Sequence, residues 1–458
     1  DCGGELDGDD SPTVTADGMP YTIPTVTNWT MMGRGSEAGK RGMRLRNGSG
    51  GHISDMVIVG FAEGADIEDS QEPHDAYDML QTGDLTLSSM AAQDVTDLID
   101  YTGSLATGEA EMDALAATAF VNLDPGVDND WSANAAGTAF TNPFNPVPQN
   151  DVTSSGAFGY MGAFDPAGDN WLAGWSYLDI AGAADVVNPD NGGDDDGSST
   201  ADCNCPSLSD REEVVVSDSG FGTGTTTWTC DKTYMLDGYV FVNSGQVLTV
   251  QPGTVVKGMA GQGAEAAALI VARGGQIFAE GTADCPITFT HAADALDGST
   301  AYNTRGQWGG VIILGAASTN LPTEGQIEGV PSENDRAAYG GTNDADNSGV
   351  LAYVSIRHGG TQLGAANEIN GLTLGGVGSG TTIHHVEVLS NDDDGIEFFG
   401  GTVDVNYAAV GFVGDDSFDW DQGYRGGGHH WFSINDHDAG DCGGELDGDD
   451  SPTVTADG

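Results

Sequence analysis

Basic residues are scarce in this chain. Thirteen lysines and arginines stand against 71 aspartates and glutamates in 458 residues, a formal net charge of −58, and only Lys40, Lys232 and Lys257 are lysines. A surface so negative argues against nucleic acid as a partner and against adsorption to an anionic membrane. No apolar run approaches the ~20 residues that span a bilayer, so no membrane span is expected. The chain does not open on Met and shows no signal peptide, which reads as a mature product or a segment of something longer. A Gly-rich phosphate loop, a Ser nucleophile elbow and an HExxH motif are all missing, which removes the commonest nucleotide, serine-hydrolase and zinc-protease signatures.

Cysteine is sparse as well. Cys203, Cys205, Cys230, Cys285 and Cys442 with its copy Cys2 make five distinct positions. Cys203-x-Cys205 is not a zinc spacing and no Cys/His pair accompanies it, so disulfides of an exported protein are expected. An odd number leaves one thiol free or bonded to another unit.

What is present is a repeat. Hydrophobic residues make up 38% of the chain, enough for a core despite the charge. Across Gly371–Asp436, short β-branched and aromatic runs alternate with Gly/Asp/Asn turns. Ile383 and Val405, Val388 and Val410, and Glu397 and Asp419 are each separated by 22 positions. A period of that length, built from short strands and turns, is the spacing of a parallel β-helix, in which no coil buries its apolar face alone. Val386, Val388, Ile396, Phe398, Val403, Val405, Phe418 and Trp420 are the expected inward ladders. The fold class predicted is therefore all-β: a parallel β-helix (solenoid) with loop and short-helix insertions, as one unit of a repeating polymer.

Outward positions carry acids beside the strands: Glu397, Asp419, Glu5 or its copy Glu445, and Asp66 with Glu68. Stacked carboxylates repel at strand spacing unless a cation, a proton or water intervenes. Hard oxygen donors in such number suit Ca²⁺ as a structural ion. Asp344, Asp346 and Ser348 lie in a segment that resembles the opening of a calcium loop, without the distant bidentate Glu. His384-His385 and His429-His430 form two pairs, but successive strand residues face opposite sides, so no shared metal is expected.

Residues 1–18 recur unchanged as 441–458. The identity implies one 440-residue period plus an overlap, whether from tandem copies, from a chain closed around a repeating filament, or from an engineered permutation. The organisation expected is residues 1–178 as the C-terminal half of a β-helix unit, 179–202 as an acidic Gly/Asp/Ser linker, 203–440 as the first and central coils of the next unit, and 441–458 as the repeat of 1–18. The natural folding unit then runs from Cys203 through 440 into residues equivalent to 1–178. Arg34, Lys40, Arg41, Arg44 and Arg46 form a basic cluster expected to contact either a neighbouring unit or the adjacent coil. Between Met90 and Phe120, AAQDVTDLIDYTG and EMDALAATAF suggest short helices. Leu123–Ser155 has the chemistry of a long ordered loop, and the aromatic stretch GYMGAFDPAGDNWLAGWSYL is expected to cover a solenoid end.

Several segments, among them LDGYVFVNSGQVLTVQPGTVVKG, RGQWGGVIILG, DDGIEFFGGTVDVNY and DSFDWDQGYRG, resemble secreted right-handed, pectin-lyase-like β-helix proteins of the kind common in the Bacteroidota. The resemblance covers most of 203–440 and much of 1–178, with the two blocks in inverted order. It implies export, to the extracellular space or cell surface, and no assigned activity. Asn391-Asp392-Asp393-Asp394-Gly395, Gly414-Asp415-Asp416 and His429 resemble, more faintly, the motifs of polygalacturonase-type hydrolases. That likeness would make Asp393, Asp415 and Asp416 acid and base, with His429 in support. The Asn-x-Asp-Gly element carries an extra residue, and a downstream Arg-x-Lys pair is missing.

Two functions follow as expectations. The first is a non-enzymatic structural subunit of an extracellular or cell-surface filament or adhesin, whose partners are copies of itself. The alternative is a polysaccharide hydrolase, lyase or glycan-binding module, with Trp308, Trp420, Tyr424 and Trp431 as sugar-stacking surfaces.

Overall fold

The computed structural model describes residues 20–36, 40–69, 75–180, 203–261, 265–331, 334–361, 369–437 and 439–447. Glu5, most of the proposed linker and residues 448–458 therefore lie outside the described residues.

The chain winds as a right-handed parallel β-helix whose strands belong to one 24-stranded sheet. The 22-residue offset is the coil register: Ile383 pairs with Val405, Val388 with Val410 and Glu397 with Asp419. All eight predicted inward residues are buried in one continuous core. Large rings fill its middle, with Phe418 stacked on Trp431 at 4.5 Å and Trp29 edge-on to both.

The order of coils along the axis is not the order of the sequence. Stacking starts near Glu212–Ser217 and proceeds to Gly444–Asp447. Thr25–Met32 then lies in parallel register on Gly427–Ile434, and Arg41–Arg46 on Gly444–Asp447. Gly51–Glu68 and Leu85–Asp97 complete the stack.

The long strands share a bend at a residue with positive φ, and Gly51–Glu68 and Leu85–Asp97 bend again at Gly60 and Asp94. Tyr353, His385, Tyr407, His430, Asn28, Asp55 and Ser89 occupy this corner on successive coils, with φ between 51° and 60°. The left-handed region is uncommon for residues other than glycine. Here ring stacking compensates, because Tyr353, His385, Tyr407 and His430 stack face to face at 4.4, 4.5 and 4.5 Å.

Two expectations need correction. AAQDVTDLIDYTG is not helical: it continues the coil as the strands Leu85–Asp97 and Asp100–Thr102, because period-2 burial and coil pairing outweigh its helix-forming alanines. EMDALAATAF does form a helix, Gly108–Ala119, which buries Met112, Ala116 and Ala119 in the main core beside the last coil. With the helix Ala76–Thr82, capped by Asp75, it covers that end.

The aromatic stretch runs instead along the flank. Met161, Phe164, Leu172, Trp175 and Leu178 pack on outward-facing Leu389, Phe432, Ile434 and Val57 in a second cluster. The reason is local: outward positions on these coils are apolar and demand a lateral cover.

At the opposite end, Cys203–Cys285 and Cys205–Cys230 are disulfides with Cα separations of 5.8 and 5.4 Å. Cys442 is disulfide-bonded too.

Candidate functional site

The outer face of one side of the solenoid carries a column of charges set by strand register. Glu397, Asp419, Glu445, Arg44, Asp66 and Asp100 occupy successive rungs. Two carboxylates one rung apart repel by about 3 kcal/mol at an effective dielectric near 20. Arginine relieves this in the lower half. Arg44 reaches Glu445 at 3.4 Å, Arg46 bridges Glu445 at 2.8 Å and Asp447 at 3.0 Å, and Arg41 bridges Glu63 at 2.6 Å and Asp66 at 3.1 Å. Burial still holds Asp66 and Glu68 above the ordinary carboxyl range, outweighing the nearby guanidinium groups.

Asp66, Glu68 and Glu445 therefore sit among arginines, which supply countercharge to them. The basic cluster lies along the outer face and reaches to the adjoining coils. Lys40 pairs with Asp441 at 2.6 Å and Arg34 donates to the carbonyl oxygens of His437 and Gly440. Of the two contacts expected for Arg34, Lys40, Arg41, Arg44 and Arg46, the adjacent coil is the one made in this chain.

In the upper half of the column, acids gather among themselves. Asp393, Asp394 and Asp415 each place an oxygen within 4.8 Å of the others, and so do Asp394, Glu397 and Asp419. Burial and neighbouring acids raise Asp394 and Glu397 well above the ordinary carboxyl range, with Asp393, Asp419, Asp416 and Asp415 acting on Asp394, and Glu328, Asp419, Asp394 and Asp421 on Glu397. Asn370 donates to both Glu328 and Glu397. This oxygen-only donor set fits a hard cation such as Ca²⁺.

Asp394 and Asp416 also hold the turns. An Asp394 oxygen accepts the Asp416 backbone N–H at 2.8 Å, and an Asp416 oxygen accepts the Cys442 N–H. Asn391 donates from its amide to the Ile369 and Asp394 carbonyls. Asp416, buried at 3% exposure, thus accepts from the next coil.

His429 is elsewhere. It lies on the strand Gly427–Ile434, against Phe158, Tyr407 and His430, with its backbone N–H on the Asn406 side chain. The structure brings Asp393 and Asp415 together but gives His429 different neighbours. The aromatic residues of the glycan reading are likewise displaced: Trp308, Trp420, Tyr424 and Trp431 are all 0% exposed.

In the loop that resembles a calcium-binding opening, the Asp344 carboxylate accepts from the Ser318 N–H and hydroxyl and lies 3.3 Å from Arg425. Against the opposing effect of burial, these contacts hold it below its ordinary value. Its carbonyl accepts from Ser379 and Thr402. The Ser348 hydroxyl donates to Asp346 at 3.3 Å. The segment ties turns together.

Sequence reasoning passed over Asp394, the member common to both acidic groups, although its 22-residue offset from Asp416 was there to be read. It also passed over Asn370 and Glu328, which no offset signals.

With this geometry in place, the comparison with known proteins is direct. Residues 3–139 and 220–457 match the family of pectate-lyase-like β-helix domains, and the chain belongs to that family. No curated protein and no solved structure matches it.

Proposed function

We propose that the chain is a structural module of an extracellular or cell-surface filament or adhesin, assembled with copies of itself and stiffened by Ca²⁺ on its acidic column. One observation carries the reading. Of the acids a hydrolase would draw on, Asp416 accepts the Cys442 N–H of the next coil, and His429 stands apart from Asp393, Asp415 and Asp416. Acids committed to such bonds hold a rod together and are poorly placed to transfer protons to a substrate. The disulfides favour an oxidising compartment, and the identity of 1–18 with 441–458 favours a repeated unit.

The test is direct. Electron microscopy of purified protein with millimolar Ca²⁺ should reveal rods joined into fibres that shorten in EDTA. Isolated particles in both conditions, together with turnover of an acidic or neutral polysaccharide, would replace this reading with the carbohydrate-active one.

A further inference from the structure

Neighbouring residues of a regular strand point to opposite faces, and on that ground the two imidazoles of each His-His pair should diverge. The corner removes the alternation. His385 and His430 have φ of 53° and 60°, and the resulting bend brings consecutive rings to one side. His384 Nδ1 lies 3.0 Å from His385 Nδ1, and His429 Nδ1 lies 2.7 Å from His430 Nδ1. The pairs recur on alternate coils, because His384 registers with Asn406 and Asn406 with His429.

We propose that His429 with His430, and His384 with His385, are chelating sites for a divalent transition metal of the copper(II) class, each binding through its two Nδ1 atoms.

Two ring nitrogens this close require a proton or a cation between them. Their spacing selects the cation. A right-angle pair of ~2.0 Å bonds, as in square-planar copper(II), sets the donors about 2.8 Å apart, whereas tetrahedral zinc sets them about 3.3 Å apart. The 2.7 Å of the His429–His430 pair matches the former, and the 3.0 Å of His384–His385 lies between the two, nearer the former.

The protonation state suits the same chemistry. Burial lowers all four imidazoles, His385 to about 4 and His430 to about 3, a direction that favours the neutral, metal-binding form. The Tyr160 hydroxyl lies 2.6 Å from His430 Nε2. When Nε2–H donates to that oxygen, Nδ1 keeps its lone pair, as in metal sites whose ligand rings are held by a second hydrogen bond. Asp404 adds negative charge beside His429, so this pair should fill first. His384 and His429 remain partly exposed, which leaves a path for the ion.

The experiment is a copper(II) titration of the full chain in excess Ca²⁺, which keeps the carboxylates occupied, read by calorimetry and electron paramagnetic resonance. Two equivalents with nitrogen hyperfine structure are expected. His429→Ala and His384→Ala should each lose one, and the double variant both, while His52→Ala loses none. Melting curves report folding, and His429→Asn, which keeps a polar group at the corner, serves if the alanine variant melts early. Copper without nitrogen coupling, or an unchanged stoichiometry in the double variant, would mean that only a proton joins the rings and would overturn the proposal. Loss in one single variant alone keeps that pair and removes the other.

Discussion

Glu397 stands directly over Asp419 in parallel register, and Asp394 brings an oxygen within 4.8 Å of both. A carboxyl whose pKa is higher in the folded than in the unfolded chain binds more protons when folded. Stability then falls as pH rises from the ordinary value, 3.8 for Asp394 and 4.5 for Glu397, through the raised one. Without metal, the melting temperature should drop as pH rises above about 5, past the ordinary carboxyl values. Calcium at 100 times its dissociation constant should restore about 2–3 kcal/mol at pH 8. A melt indifferent to both pH and calcium would remove the ion from this column.

Arg44 is the one cation among the described rungs of the column, between Glu445 and Asp66. Its two carboxylate neighbours have side chains only 2% exposed. Arg44→Ala should destabilise by about 1.5–3 kcal/mol in denaturant melts, the contribution of a bond to a charged group, since Arg46 and Arg41 still serve Glu445 and Asp66. Arg44→Met combined with Glu445→Gln should recover most of that loss. If the double variant is no better than the single one, packing by the arginine stem and not its charge supports the coil.

The disulfide Cys203–Cys285 closes a separation of 82 residues and Cys205–Cys230 one of 25. Both tie the starting coil, whose strand Glu212–Ser217 is the most exposed of the stack's ends. Reduction should cost about 3–4 kcal/mol per bridge locally. Hydrogen exchange should accelerate over 212–237 while 383–434 stays protected. Uniform acceleration over both would show that the solenoid unfolds as one unit.

The coil repeat was legible because its apolar and acidic positions recur at one offset, so that Val386 and Phe398 declared the core and Glu397 and Asp419 a column. Partners at irregular distance were not. Arg44 pairs with Glu445 across 401 positions, a relation that periodicity does not report. The corner was hidden for another reason: a left-handed Tyr407 or His430 violates the residue preferences from which turns are read. The alternation rule misplaced the histidine rings at that corner. The aromatic segment was read as an end cover because the sequence shows that apolar residues need burial but not which surface provides it.

Glu387 is the clasp that fastens that segment to the flank. It is 0% exposed and accepts the Tyr177 and Leu178 N–H groups at 2.9 and 3.1 Å and the Ser355 hydroxyl at 2.6 Å. Arg357 donates to the same Ser355 and lies over the Tyr177 ring. Burial raises the Glu387 carboxyl, with Arg357 and the three donors opposing. Bonds to a charged acceptor contribute about 1.5–3 kcal/mol each, more than the flank contacts of two residues replace. Glu387→Ala should therefore expose 175–178 to proteolysis and faster hydrogen exchange, while 160–164, held by Asn28 and Thr30, and the strands Thr382–Leu389 and Asp404–Gly411 keep their protection. Glu387→Gln, which keeps the shape but cannot accept at both oxygens, should fall between the two. An alanine variant as resistant to protease as the parent would mean that the apolar contacts of Trp175 and Leu178 hold the segment unaided.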